Sequence, residues 1–200
     1  MISAFLIPGF NQYRSFEHSD FDVLKETMLQ HDISLAGMAD TWQSYGVREY
    51  GQLASAQLEQ LKNIDVLIGH SLGAIAALAS IEDAGVDNLI LCSPSALFAE
   101  DADILNKPET VSFIGQKRVD ELLQIGTEQT TDKVNGLRIR ATITYGSNEK
   151  ILNPALVHRA HALSDRIASS EVLIINGAGH SIRDGIYARA IARLISGIFR

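Results

Sequence analysis

The chain has 200 residues, of which 46% are apolar and 20% charged, and its 24 acidic residues outnumber 17 Lys and Arg for a formal net charge of −7. That length and balance suit one globular domain, residues 1–200, with a full core. With no Lys/Arg cluster of five or more, the chain lacks the basic face that nucleic-acid phosphates require.

The first predicted strand is Ile2–Ile7, followed at once by Pro8-Gly9-Phe10-Asn11. This opening has no basic leader, and no apolar run approaches the roughly 20 residues that cross a bilayer. A cytoplasmic protein without a membrane span is therefore expected. A helix is expected over Phe16–Leu29 and a strand over Ile33–Met38, with Trp42 and Tyr45 in the loop after it. A second helix, Glu49–Lys62, leads to the short apolar strand Asp65–Ile68. Then comes Gly69-His70-Ser71-Leu72-Gly73, which runs straight into an alanine-rich helix, Leu72–Ala84. The fourth strand, Asn88–Cys92, ends in the chain's lone cysteine, which excludes an internal disulfide and reads as a buried thiol.

Between Ser93 and Leu137 no strand pattern appears. Ala99–Leu105 and Val119–Ile125 read as short helices. A structureless loop of that length is uncommon in a compact domain, so residues 93–137 are expected to form a small, lid-like helical insertion. The pattern then resumes with strand Ile139–Tyr145, helix Asn153–Ala168, strand Glu171–Ile175 and helix Ile182–Phe199. Several strands are apolar throughout, as strands covered on both faces are. The alternation predicts an α/β fold, doubly wound, with a mostly parallel six-stranded sheet flanked by helices. There is no internal repeat, low-complexity tract or Pro/Gly-rich linker.

Ser71 lies where a strand stops and a helix begins. A sharp turn there strains the serine backbone, and small residues at Gly69 and Gly73 relieve the crowding. Ser71 Oγ is then presented at a helix N-terminus, where developing negative charge is favoured. The competing reading is a serine N-cap between closely packed glycines. Of the six histidines, His180 follows the last strand in the glycine-bearing loop Asn176-Gly177-Ala178-Gly179-His180. Ser181, next to it, reads as the start of the final helix. His158 and His161 stand at i, i+3, but no thiolate or carboxylate motif completes a metal set, so a solvated helix face is expected. His18 and His31 have no motif context, and His70 reads as part of the turn.

"LIPGF", "GHSLG" after a strand, "TYGSNE" and "NGAGHS", in that order, resemble the α/β-hydrolase family over most of the chain, Ile2 to Phe199. The resemblance implies a minimal α/β-hydrolase fold with a nucleophile, Ser71, and a base, His180. It implies an acid in the loop Gly146-Ser147-Asn148-Glu149. Glu149 stands there where the family more often has Asp; its alternatives are a surface pair with Lys150, and Asp101 or Asp103 of the insertion as the acid. It further implies an oxyanion hole from the backbone N–H groups of Leu72 and Phe10, with Pro8 where the family often has His. A sheet order of 2-1-3-4-5-6 would independently bring the loops at Gly9 and Ser71 together at the point where the chain reverses direction. Trp42, Tyr45, Leu97, Phe98, Phe113 and Ile114 are candidate pocket walls or plain packing.

The expected chemistry is hydrolysis of a small carboxylic ester or thioester through an acyl-enzyme. The same residues would also serve an amide, a C–C bond or acyl transfer, and a receptor-like binding protein is the alternative of another class. The first turn lacks Gly-x-Gly-x-x-Gly, and no Gly-Lys-Ser/Thr follows a strand, so no nucleotide cofactor is expected. No metal is required, and the partner would be a small-molecule acyl substrate.

Overall fold

The computed structural model describes residues 1–10, 15–61, 63–94, 102–125, 135, 139–150 and 155–200. Six strands form one sheet: β1 Ile2–Ile7, β2 Ile33–Gly37, β3 Val66–His70, β4 Asn88–Cys92, β5 Arg140–Gly146 and β6 Ser170–Ile175. All neighbouring pairs are parallel, in the order β2-β1-β3-β4-β5-β6. This is the order under which the loops at Gly9 and Ser71 meet. Parallel strands need crossovers, and these are helices α1 Asp22–Leu29, α2 Val47–Leu61, α3 Leu72–Ala84 and α7 Ala155–Arg166, with α8 Gly185–Ile198 closing the chain. Between β4 and β5 lie α4 Ala102–Leu105, α5 Pro108–Ile114 and α6 Gln116–Ile125.

Alternate residues of each strand feed two cores. Phe5, Ile7, Leu67, Leu89, Leu91 and Ile143 pack with α2, α3 and α7 on one face. Ala4, Leu6, Val66, Ile68, Ile90 and Cys92 pack with α1 and α8 on the other. The central strands are therefore apolar without alternation, because both of their faces are covered. Helix α3 is buried on nearly every side, from Leu72 and Ala74 through Leu78 to Ile81, which explains its small, uniformly apolar composition.

Several boundaries differ from expectation, each for a local reason. The segment expected to be helical from Phe16 instead opens with a short 3₁₀ turn, Ser19–Phe21, capped by His18 Nδ1 accepting from Asp20 N–H at 3.2 Å. The α-helix proper starts at Asp22. The third strand continues two residues past Ile68, to His70, because β4 still pairs with it there. The final helix starts at Gly185 rather than near Ile182: Asp184 is its N-cap, accepting from Ile186 N–H at 2.9 Å. Ser181 instead closes a turn, its carbonyl accepting from Asp184 N–H at 3.0 Å.

Helix α6 is fastened to the body of the fold. Glu121 accepts from the backbone N–H groups of Val47 and Arg48 at the start of α2, and Lys117 pairs with Glu49 at 2.8 Å. A carboxylate at a helix N-terminus satisfies orphan donors and the positive end of the dipole together. Among the described residues, no helix is long and apolar enough to cross a membrane.

Candidate active site

Ser71 is held at φ 52°, ψ −120°, a backbone region that L-residues rarely occupy and that costs about 1–3 kcal/mol. Surrounding contacts impose it. Ser71 N–H donates to Cys92 O at 2.9 Å, tying the turn to the end of β4, and Ala74 N–H donates back to Ser71 O at 3.1 Å. A Cβ at Gly69 would stand 2.7 Å from Ala74 Cα and 2.8 Å from Ala77 Cβ. A Cβ at Gly73 would strike the carbonyl oxygens of Ile7 and Pro8, so this glycine lets the first turn of α3 rest on the end of β1. The N-cap reading of Ser71 does not hold, because its side chain makes no capping bond. Its Oγ instead lies 3.1 Å from His180 Nε2.

His180 Nδ1 lies 2.6 Å from Glu149 Oε2. Glu149 is 3% exposed, a burial that a carboxylate tolerates only with a partner. Its carboxylate accepts, so Nδ1 carries the proton and donates it. Nε2 then offers its lone pair to the Ser71 hydroxyl. Lys150 is exposed, and Glu149 turns inward to the histidine rather than forming a surface pair with it. Asp103 is exposed on α4, and Asp101 lies outside the described residues.

Two loops must meet for that contact, and they are latched by four hydrogen bonds. Ser147 N–H donates to Ile175 O at 3.0 Å and Asn148 N–H to Ala178 O at 2.9 Å. Gly177 N–H donates to Ser147 Oγ at 2.9 Å, and Asn148 Nδ2 to Gly177 O at 3.3 Å. Gly146 makes the approach possible, since a Cβ there would collide with the carbonyls of Ala178 and Gly179. Sequence reasoning singled out Glu149 in this loop but gave Gly146, Ser147 and Asn148 no roles. The whole stretch from Gly146 to Glu149 was the available signal.

The loop after β1 lies against the turn at Ser71. A Cβ at Gly9 would come within 2.8 Å of both His70 Nδ1 and Ser71 Cβ. Trp42 is buried, stacked on Tyr50 at 3.8 Å, and its indole N–H donates to Pro8 O at 3.0 Å. Phe10 is half-buried between Trp42 and Phe113, with ring centroids 6.3 Å and 5.3 Å away. Arg118 of α6 places its guanidinium 4.9 Å over the same ring while donating to the carbonyls of Trp42 and Ile114. Burial lowers the pKa of Arg118 from the usual guanidinium value. Leu72 is buried at the first position of α3. Tyr45 is half-buried beside Tyr50, Ile114 is buried, and Phe113 is 64% exposed despite its contact with Phe10. Leu97 and Phe98 lie outside the described residues.

His70 Nε2 lies 2.9 Å from the carbonyl oxygen of His180, so its Nε2–H donates there. Burial, and then the neighbouring His180, lower its pKa to about 3. It is therefore neutral at ordinary pH. Burial pushes the Cys92 thiol up to about 12, so it is not a thiolate nucleophile near neutral pH. His158 and His161 are exposed on α7. Among the described residues, no group of three or more His, Cys, Asp and Glu is placed to hold a metal. A groove of about 540 Å³, lined by residues that include Asn88, Arg140, Ile167 and Phe199, lies elsewhere, at the entry ends of β4 and β5.

The parallel sheet order, the strained serine between β3 and α3, and the histidine loop after the last strand together define the α/β-hydrolase fold. No family model matches the chain, and no curated protein matches it. Solved structures share its architecture. Est1E from Butyrivibrio proteoclasticus superposes with a TM-score of 0.72 at 17% identity, covering 99% of this chain and 86% of that one. A monoacylglycerol lipase from Paleococcus ferrophilus gives 0.67 at 15% identity, covering 98% and 94%. A meta-cleavage product hydrolase from Pseudomonas fluorescens gives 0.69 at 11% identity, covering 100% and 90%.

Proposed function

We propose that the protein is a serine hydrolase of the α/β-hydrolase family that cleaves a small carboxylic ester or thioester. The observation that carries this is the continuous chain from Ser71 Oγ through His180 to buried Glu149, at 3.1 Å and 2.6 Å. Similarity in fold to a monoacylglycerol lipase supports the ester class.

In this reading Ser71 Oγ attacks the substrate carbonyl carbon while its proton passes to His180 Nε2. Glu149 holds Nδ1–H and stabilises the imidazolium. The backbone N–H groups of Phe10 and Leu72 receive the oxyanion, each lowering the barrier by about 3 kcal/mol. The bond to the leaving alcohol or thiol breaks as His180 returns the proton. A water, deprotonated by His180, then attacks the acyl-enzyme and frees Ser71. Phe10 and Phe113 would supply apolar surface to the acyl or leaving group. The insertion of residues 93–137 would form a lid over the site. No step calls for a cofactor.

A panel of p-nitrophenyl esters of rising acyl length, run beside an acyl-CoA, tests activity and sizes the pocket. A fluorophosphonate should label Ser71 at neutral pH, and Ser71→Ala should abolish both turnover and labelling in folded protein. Full esterase activity in that variant would refute the mechanism. Folded wild type that never labels would favour a binding protein instead.

A further inference from the structure

We propose that His70 is a positioning residue, whose Nε2–H holds the backbone of His180 so that the His180 ring stays between Ser71 and Glu149. The inference deepens the serine-hydrolase reading and rests on it. The loop bearing His180 needs such a hold. Its latch to the Glu149 loop ends at Ala178, where Asn148 N–H donates to Ala178 O. The next residue, Gly179, rests its carbonyl against Gly146, while a Cβ on Gly179 itself would meet nothing within 4 Å. The base thus stands two residues beyond the last latching bond, at Ala178.

His70 supplies that hold from a rigid base. It is the last residue of β3, in register with Cys92 at the end of β4. From there its Nε2–H reaches His180 O at 2.9 Å, and the two rings lie 5.1 Å apart at 52°. On its other side, Nδ1 is packed against Gly9, where an added Cβ would come within 2.8 Å. One side chain thus bridges the turn at Ser71, the loop after β1 and the loop carrying the base. Its tautomer is fixed by the bond, because only a protonated Nε2 can donate to a carbonyl. A charged ring this close to His180 would work against the imidazolium that forms there, so a neutral donor suits the place. The alternative is a buried histidine that merely packs.

Three proteins separate these: wild type, His70→Gln and His70→Leu. Gln can present an amide donor near the Nε2 position; Leu fills space without one. The readouts are fluorophosphonate labelling, both rate and final extent, and kcat and KM for p-nitrophenyl acetate. His70→Leu should label to the same extent but on the order of 10²-fold more slowly, the scale of loss for a base displaced by about 1 Å. Its kcat should fall while KM stays within about twofold. His70→Gln should recover most of the rate. A packing role would lower the labelled fraction and leave Gln and Leu alike. Wild-type labelling rates in His70→Leu, or equal loss in both variants, would overturn the proposal. If wild type itself failed to label, the nucleophile reading would fall instead, and nitrogen NMR of the histidine rings would still decide the positioning role. It should show His70 neutral with its proton on Nε2 between about pH 5 and 8. A proton on Nδ1, or a His70 that titrates in that range, would refute the hold on His180.

Discussion

The buried neutral His70 should make the fold sensitive to acid in a way that one substitution removes. Its folded pKa is lowered to about 3, first by burial and then by the His180 ring; the bond to His180 O opposes this, Arg183 lowers the value further and Glu149 raises it. In the unfolded chain the ring titrates near 6.5. A depressed folded value contributes stability that is whole above about pH 6.5 and drains away as pH falls toward about 3. At pH 5 the unfolded state has gained about 1.5 pH units of proton binding that the native ring refuses, worth about 2 kcal/mol. The ring keeps some solvent contact, so that figure is an upper one. At about 2–4 °C per kcal/mol for a domain of this size, Tm should drop by about 4–8 °C between pH 7.5 and 5 on this account alone. Calorimetry on wild type and His70→Gln across that range isolates the effect, because every other titrating group is shared. Tm of wild type minus Tm of His70→Gln should fall by about 4–8 °C between pH 7.5 and 5. Parallel curves would show that His70 is not held neutral by the fold.

Other consequences follow from named contacts. Glu149→Gln should cut p-nitrophenyl acetate kcat by about 10²- to 10⁴-fold, whereas Asp103→Asn, at an exposed site on α4, should leave it unchanged. Equal effects would reassign the acid. Gly146→Ala forces a methyl against the carbonyls of Ala178 and Gly179, so it should cost about 1–3 kcal/mol in urea unfolding and slow fluorophosphonate labelling. A variant with wild-type stability would mean the two loops can part freely. Tyr187 of α8 donates to Thr144 O at 3.1 Å and lies within 3.2 Å of Ser93 Oγ, in a buried polar cluster under β4 and β5. Tyr187→Phe strands those partners and should destabilise by about 1–3 kcal/mol, read as a lower Tm.

The sheet was legible in the sequence because its signal is local. Leu67-Ile68 and Leu89-Ile90-Leu91 are apolar on both faces, and only a doubly covered strand demands that. Their order is not fixed by the alternation, and the switch-point rule takes it as a premise. Helix starts were less legible, because they depend on which of several polar residues takes the cap. Ser181 and Asp184 are both competent N-caps, and the chain uses Asp184. Long-range partners outside the stretches that carry the family resemblance were not legible. Nothing near Trp42 says that its indole will donate to Pro8, 34 residues away. Nothing near Glu121 says that it will cap α2 across the insertion. Glu149 is expected as the acid only through the resemblance, with a surface pair to Lys150 as the alternative, and it is the fold that buries it against His180.

The two Gly-His-Ser triplets show why position outranks composition here. Gly69-His70-Ser71 leaves a central strand flanked by β1 and β4, so its backbone is clamped and the turn can store strain at the serine. Its histidine is kept neutral and donates to a backbone carbonyl, which suits a fixed donor and not a proton shuttle. Gly179-His180-Ser181 follows the edge strand β6, where one side has no neighbouring strand. Its histidine can take a carboxylate at one nitrogen and leave the other for Ser71. Its serine, with no strand-to-helix turn to strain it, settles into a turn before Asp184. The same three residues thus divide into a strained serine beside a histidine that donates to a carbonyl, and a histidine between Glu149 and Ser71 beside a serine that accepts from Arg183. The bond from His70 to His180 O joins the two triplets, and it is this bond that would let the first orient the second.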